Sequence, residues 1–371
     1  MKFTVQKKDV TDVLSRIQGL TGRKSNLAIT SNILIKALGS HITIAATDLE
    51  TGFEGEYPAT VESEGEIAIS ARKFYEIIRD FPVDKVNIHE IENRWILIGN
   101  QNIEYHIVGM NPSDFPDIPK IEGIVFFEMT SEALKQMIEQ STVIGPSDDK
   151  RAHIIGVFFE KIKADDVNAI RMVSTDGSRL SKVDYPLSSE DDPDLGNGIL
   201  IPKKGLIEVG KFLDTESTVH VGYKDNHLIV RKNGETIIIR LLEGEFPEYK
   251  DIIAISNEHV IRLDRQLFLA MLKRMSILSS ESYKGVIFNI AEDKLEISST
   301  NPDIGDSKED MVIEFSGDRI EAAFNPKYFI DTLNVINDEH VELNIINDEK
   351  PCIIQGDTEK NYLSVIMPMR I

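Results

Sequence analysis

The chain repeats itself three times, weakly in identity but in a consistent order. Thr47-Asp48 follows a strand-like run at 41–46, Thr175-Asp176 follows 169–174, and Thr300-Asn301 follows 294–299, so the separations are 128 and 125 residues. A helix start carrying a basic residue comes next in each case: Ala71-Arg72-Lys73-Phe74, Pro202-Lys203-Lys204-Gly205 and Asn325-Pro326-Lys327-Tyr328. Phe115-Pro116-Asp117 then recurs 131 residues later as Phe246-Pro247-Glu248, and the third unit ends at Met367-Pro368-Met369. Three landmarks in one order restrict the chain to a threefold repeat of about 120 residues per unit, an ordinary domain size. Pro, Gly and acidic residues cluster at 112–123 and 243–258, which places the expected domains at 1–120, 121–253 and 254–371.

Each unit carries two helical patterns. Val10, Val13, Leu14 and Ile17 share one helix face, as do Phe74, Ile77, Ile78 and Phe81. Leu134, Met137 and Ile138, then Leu206, Val209 and Leu213, serve the second unit. The third has Leu267, Met271, Met275 and Leu278, then Phe329, Thr332, Leu333 and Ile336. Most of the remainder alternates with period two, as in Ile103/Tyr105/Ile107 and Val341/Leu343/Ile345. The expected fold class is α+β: three repeated domains, each an antiparallel sheet with one face covered by two helices.

Charge sharpens the reading. Asp and Glu number 62 against 41 Lys and Arg, a net −21, and an evenly mixed surface of that kind repels nucleic acid. The six helical segments, however, hold fourteen basic and eight acidic residues, leaving 27 basic against 54 acidic elsewhere. Segments 131–145 and 325–336 do not share the bias. Lys and Arg are good helix formers, so surface decoration alone produces some of it. Arranged about an axis with the helices inward, the same residues make a positive inner wall that attracts phosphates without reading bases.

One cysteine, Cys352, excludes an internal disulfide and a cysteine metal cluster. The eight histidines show no metal-ligand spacing, and neither metal nor cofactor is expected. No apolar run approaches the ~18 residues of a membrane span, and residues 1–6 enter an alternating pattern directly, so a cytoplasmic protein without membrane association is expected. Two other classes remain open on the residues alone. A hydrolase using some of the carboxylates lacks support, since Gly19-Leu20-Thr21-Gly22-Arg23-Lys24-Ser25 misses phosphate-loop spacing and no Gly-x-Ser-x-Gly occurs. An acidic repeat scaffold that binds only proteins is the other.

Five segments carry a resemblance: Met1-Lys2-Phe3-Thr4-Val5, Ala46-Thr47-Asp48-Leu49-Glu50, Ala71-Arg72-Lys73-Phe74, Thr175-Asp176-Gly177-Ser178-Arg179-Leu180 and the terminal Met367-Pro368-Met369-Arg370-Ile371. Over its whole length the chain resembles the bacterial DNA sliding clamp family, the beta subunit of DNA polymerase III. The resemblance implies a head-to-tail homodimeric ring, helices inside and sheets outside, encircling duplex DNA without regard to sequence. It implies a processivity factor and no enzyme. Its implied partners are a second copy of itself, the polymerase III catalytic subunit, the clamp loader, and other DNA polymerases and repair proteins carrying clamp-binding peptides.

The family's partner groove lies between its second and third domains. Matched residue by residue, it implies Ile154, Thr175, Gly177, Ser178, Arg179, Leu180, Pro247, Ile252, Asn325, Tyr328, Val365, Met367, Pro368, Met369 and Arg370 here. Methionine suits such a groove, because it is unbranched and adapts to several apolar partners. Asp251 stands where some relatives carry a basic residue. The implied DNA contacts are Arg23, Lys24, Arg72, Lys73, Lys203 and Lys204; Asp148 replaces an uncharged polar position and is not among them. The implied dimer joint sets Tyr105 and Ile107 of one chain against Ile277 and Leu278 of the other.

Overall fold

The computed structural model describes all residues except 22–27, 146–150, 165–166, 189–192, 255–259, 279–284 and 371. The chain forms two compact units. One comprises residues 1–135 and 204–241, the other 136–203 and 242–371. Eight α-helices occur among the described residues: α1 (Lys7–Arg16), α2 (Gln18–Thr21), α3 (Ala71–Asp80), α4 (Ser131–Thr142), α5 (Ala152–Ile155), α6 (Lys203–Gly210), α7 (Arg265–Met275) and α8 (Pro326–Leu333).

In the first unit a five-stranded sheet runs Thr60–Ser63, Lys2–Gln6, Lys85–Glu90, Trp95–Gly99, Glu104–Val108. An eight-stranded sheet runs Phe126–Thr130, Thr218–Lys224, His227–Lys232, Glu235–Arg240, Thr51–Pro58, His41–Thr47, Asn32–Leu38, Gly65–Ser70. The second unit has an eight-stranded sheet in the order Ile199–Pro202, Gly156–Ala164, Val167–Thr175, Arg179–Pro186, Tyr362–Ile366, Cys352–Gly356, His340–Asn344, Val260–Asp264. It also has a four-stranded sheet in the order Gly305–Val312, Lys294–Asn301, Val286–Ala291, Ile320–Phe324.

Strands from consecutive thirds of the chain therefore share sheets, which the repeat pattern did not foresee. Glu235–Arg240 pairs antiparallel with Thr51–Pro58, with Ile239 opposite Thr51 and Ile238 opposite Gly52. Tyr362–Ile366 pairs with Arg179–Pro186, with Ile366 opposite Arg179 and Val365 opposite Leu180. Each junction joins two strands that would otherwise present unpaired backbone groups.

The helices cover the sheets as their spacing requires. Val10, Val13 and Leu14 of α1 and Phe74, Ile77 and Ile78 of α3 are buried. Ser70 caps α3 by accepting from the Lys73 N–H. In the second unit Phe268 of α7 and Phe329 of α8 meet Phe288 and Phe324, with ring centroids 5.2–6.2 Å apart. Fully burying each such ring stabilises by about 1.5–3 kcal/mol. Two residues of the α7 pattern depart, Leu278 because it lies beyond the helix end and is half-buried. Leu267 is exposed, because Asp264 caps the Leu267 N–H and thereby sets the helix phase; Phe268, Leu269, Met271, Leu272 and Met275 form the buried face.

Candidate functional site

The repeated Thr-Asp pairs are turn devices. Thr47 Oγ1 donates to the Thr51 carbonyl at 3.0 Å, and Asp48 Oδ1 accepts from the Glu50 and Thr51 amides at 3.1 and 2.8 Å. Thr175 Oγ1 donates to the Arg179 carbonyl at 2.8 Å, and Asp176 Oδ1 accepts from the Ser178 and Arg179 amides at 3.0 and 3.1 Å. At the third repeat Asn301 Oδ1 accepts from the Asp303 amide at 3.0 Å. A short side-chain acceptor next to a β-branched hydroxyl closes the turn locally, which is why the pair recurs.

In the second unit the terminal segment meets this turn. The Met367 amide donates to the Ser178 carbonyl at 2.9 Å, and the Met369 amide to the Ala323 carbonyl at 2.7 Å. The terminal segment therefore runs past the turn and bridges to the strand that precedes α8. Met367 and Met369 are 39% and 38% exposed, Ile252 is 42% exposed, and Gly177, Ser178, Pro247 and Arg370 are also exposed. Leu180, Val365 and Ile154 are buried; the first two join a core cluster with Val173, Tyr249, Ile353 and Leu363. Asn325 caps α8, accepting from the Lys327 amide at 3.0 Å. Thr175 and Pro368 are half-buried.

Arg179 is an anchor. Nε donates to Asp176 at 3.0 Å and Nη1 to Asp331 at 2.8 Å, while the guanidinium lies over the Tyr328 ring. Its side chain is only 8% exposed, so its guanidinium ties the turn to α8. A second network holds the Pro247–Ile252 segment. Tyr249 donates to Glu160, Arg171 grips Asp184 at 2.6 and 2.8 Å, and Lys182 pairs with the same carboxylate at 2.7 Å. Burial pushes the Tyr249 hydroxyl well above the usual tyrosine range and lowers Lys182. Spacing in sequence gave no sign of this network, because Glu160, Arg171 and Asp184 meet only through cross-strand register.

The cations sort less simply than their positions suggest. Arg72 and Lys73 are exposed at the start of α3, both paired with Glu76 at 2.9 Å. Lys204 is three-quarters covered and bound to Asp48, with Glu50 at 3.5 Å. The assignment of Lys203 to DNA is corrected. Its side chain is buried, and Nζ donates to the Ile154 carbonyl at 2.6 Å, so no phosphate can reach it. Burial lowers its ammonium to about 8, with nearby Asp176 opposing and Arg179 reinforcing the shift. Arg16 is likewise withdrawn, held by Glu235 at 2.9 and 2.6 Å and stacked on Phe212. The helical excess of positive charge counted from the sequence therefore overstates the free charge. Arg23 and Lys24 lie outside the described residues, as does Asp148.

The residues of the expected joint are available at the surface of their own units. Glu104–Val108 is the edge of its sheet, with Tyr105 43% exposed and Ile107 half-buried. Ile277 is 74% exposed, and Leu278 is half-buried with its carbonyl accepting from Asn301. No group of metal-binding side chains and no helix long and apolar enough to cross a membrane occurs among the described residues.

Comparison with known proteins matches three successive segments of the chain. Family models for the DNA polymerase III beta subunit match as its N-terminal domain over residues 1–119, its central domain over 128–248 and its C-terminal domain over 250–370. The beta sliding clamp of Pseudomonas putida is 27% identical over 377 residues, covering 100% of both chains. A crystal structure of a putative DNA polymerase III beta subunit from Eubacterium rectale superposes with a TM-score of 0.91 at 28% identity, covering 100% of both chains. The sliding clamp of Bartonella birtlesii, solved bound to griselimycin, shares the fold with a TM-score of 0.93 at 24% identity over 100% of both. With three models spanning nearly every residue in order, the chain belongs to the DNA polymerase III beta subunit family.

Proposed function

We propose that this chain is a DNA polymerase processivity factor with no catalytic activity of its own. Two copies close head to tail into a ring around duplex DNA, with 1–120, 121–253 and 254–371 as the three domains of each copy. The observation that carries the reading is the ordered match of all three beta-subunit domains along one chain. The edge strand at Tyr105 and the exposed Ile277 supply the two sides of the joint, since an unpaired apolar edge is otherwise an aggregation hazard.

A closed ring need not grip. Exposed Arg72 and Lys73 attract phosphates through screened contacts that form and break as the ring slides. Held beside its template, a polymerase meets the primer end at a raised effective concentration, so processivity comes from topology. Partner segments of the replicative polymerase, the clamp loader and repair proteins dock at the turn of Gly177 and Ser178, against Met367, Met369, Pro247 and Ile252. Cytoplasmic location follows from that role.

Retention on DNA tests the whole reading. After loading, the protein is expected to stay on nicked circular plasmid through gel filtration and to run off once the plasmid is linearised. Equal loss from both forms, or a monomer at micromolar concentration, overturns it.

A further inference from the structure

The turn at Thr47 and the turn at Thr175 have the same build, and strand register extends the match. Leu49, at φ 78°, stands where Gly177 stands at φ 88°. Ile239 opposes Thr51 as Ile366 opposes Arg179, and Ile238 opposes Gly52 as Val365 opposes Leu180. One residue further on, Arg240 takes the place of Met367. Counting back 131 residues, Pro116 and Ile121 take the places of Pro247 and Ile252. In the first unit Leu49, Glu50, Gly52, Pro116, Ile238 and Arg240 line one cavity of about 410 Å³. A second cavity of about 280 Å³ shares Ile238 and adds Ile118, Ile121, Ile124 and Ile229.

The two places differ in chemistry. Gly177-Ser178 and Met367 give an uncharged rim, whereas their counterparts are Leu49-Glu50 and Arg240. Asp117 and Asp225 also face the larger cavity; Glu50 lies 3.5 Å from the Lys204 ammonium, which leaves these two aspartates against the Arg240 guanidinium. Beside it the smaller cavity sets five isoleucines among Glu54, Glu122, Lys120 and Arg231, whose two carboxylates and two cations balance, and offers room for an apolar side chain. Leu49 is 51% exposed in a backbone conformation that bulky residues rarely adopt, a strain found where structure is held for use.

We propose that this is a second docking groove, which takes an extended segment of a partner protein with an apolar residue beside a Lys-Arg pair. The apolar residue seats among the isoleucines, and the cations face Asp117 and Asp225. The comparison rests on reading the Thr175 turn as a partner groove, and the test separates the two.

The probe is a fluorescein-labelled peptide, Gly-Leu-Phe-Gly-Lys-Arg-Gly, with Gln-Gln and Glu-Glu counterparts, titrated against the full-length protein. The Lys-Arg peptide is expected to bind about tenfold more tightly than the Glu-Glu one and to slow hydrogen exchange at 47–52 and 225–227. Asp117→Lys combined with Asp225→Asn removes the preference, with an unchanged circular dichroism spectrum as the check on folding. If that pair fails to fold, Asp117→Asn alone is expected to reduce the preference about threefold. Absence of a charge preference, no binding at about 1 mM, or protection confined to 175–180 overturns the proposal. Protection at 47–52 with none of any peptide at 175–180 upholds this groove and counts against the other.

Discussion

The Arg179 guanidinium lies 4.4 Å over the Tyr328 ring while two carboxylates, Asp176 and Asp331, hold its nitrogens. One buried cation thus fixes the groove turn against α8. Removing it leaves two partly covered carboxylates facing each other. Breaking a buried pair costs about 3–5 kcal/mol, and the quarter exposure of both aspartates reduces that to about 2–3 kcal/mol. Arg179→Gln is expected to show this loss in urea unfolding, and Asp331→Asn a smaller one. Equal stability of both variants and the native chain would refute the anchor.

Met367 is expected to matter for partners alone. Its side chain is more than a third exposed, and its backbone is held through the Ser178 carbonyl whatever the side chain. Met367→Ala removes apolar surface worth about 1–2 kcal/mol to a docked segment, hence a five- to thirtyfold loss of peptide affinity by fluorescence anisotropy. Sedimentation should still report the dimer. Unchanged affinity contradicts the groove.

The cations proposed to meet DNA divide into exposed and withdrawn. Arg72→Glu with Lys73→Glu is expected to shorten residence on circular DNA at low salt and to flatten its salt dependence, since phosphate contacts release counterions. Lys203→Met is expected to leave residence unchanged, because that ammonium is enclosed with the Ile154 carbonyl. A Lys203 variant that slides off as fast as the Arg72/Lys73 variant would restore Lys203 to the DNA contacts.

Lys203 also makes stability depend on pH. The folded state lowers its ammonium from 10.5 to about 8, chiefly by burial. Below pH 8 both folded and unfolded chains hold the proton, and the folded one bears the full cost of a buried charge. Between about pH 8 and 10.5 the unfolded chain binds more protons, so stability rises with pH. Each pH unit is worth about 1.4 kcal/mol, so the native chain should gain roughly 3 kcal/mol on Lys203→Met across that interval. Denaturant midpoints of the two proteins at pH 7.5 and 10 check this; a constant difference refutes it.

Ile277, 74% exposed beside a capped carbonyl at Leu278, tests the joint. Ile277→Lys is expected to leave the fold intact, as a surface change typically costs under 0.5 kcal/mol, while shifting sedimentation toward monomer. Tyr105→Lys should act the same way from the opposite side. Undisturbed dimers in both variants would place the joint elsewhere.

Local chemistry wrote the repeat, the six long helices and the turn devices plainly into the chain. A Thr-Asp pair closes its own turn within four residues, and an apolar face repeats every three or four, so neither needs the rest of the protein. Tertiary structure alone decided which cations are free and how the sheets join. Lys203 meets a carbonyl 49 residues away, Arg16 a carboxylate 219 away, and Glu235–Arg240 pairs with a strand from the preceding third. Burial and edge pairing depend on surfaces that exist only once distant segments have packed, and no spacing along the chain encodes them.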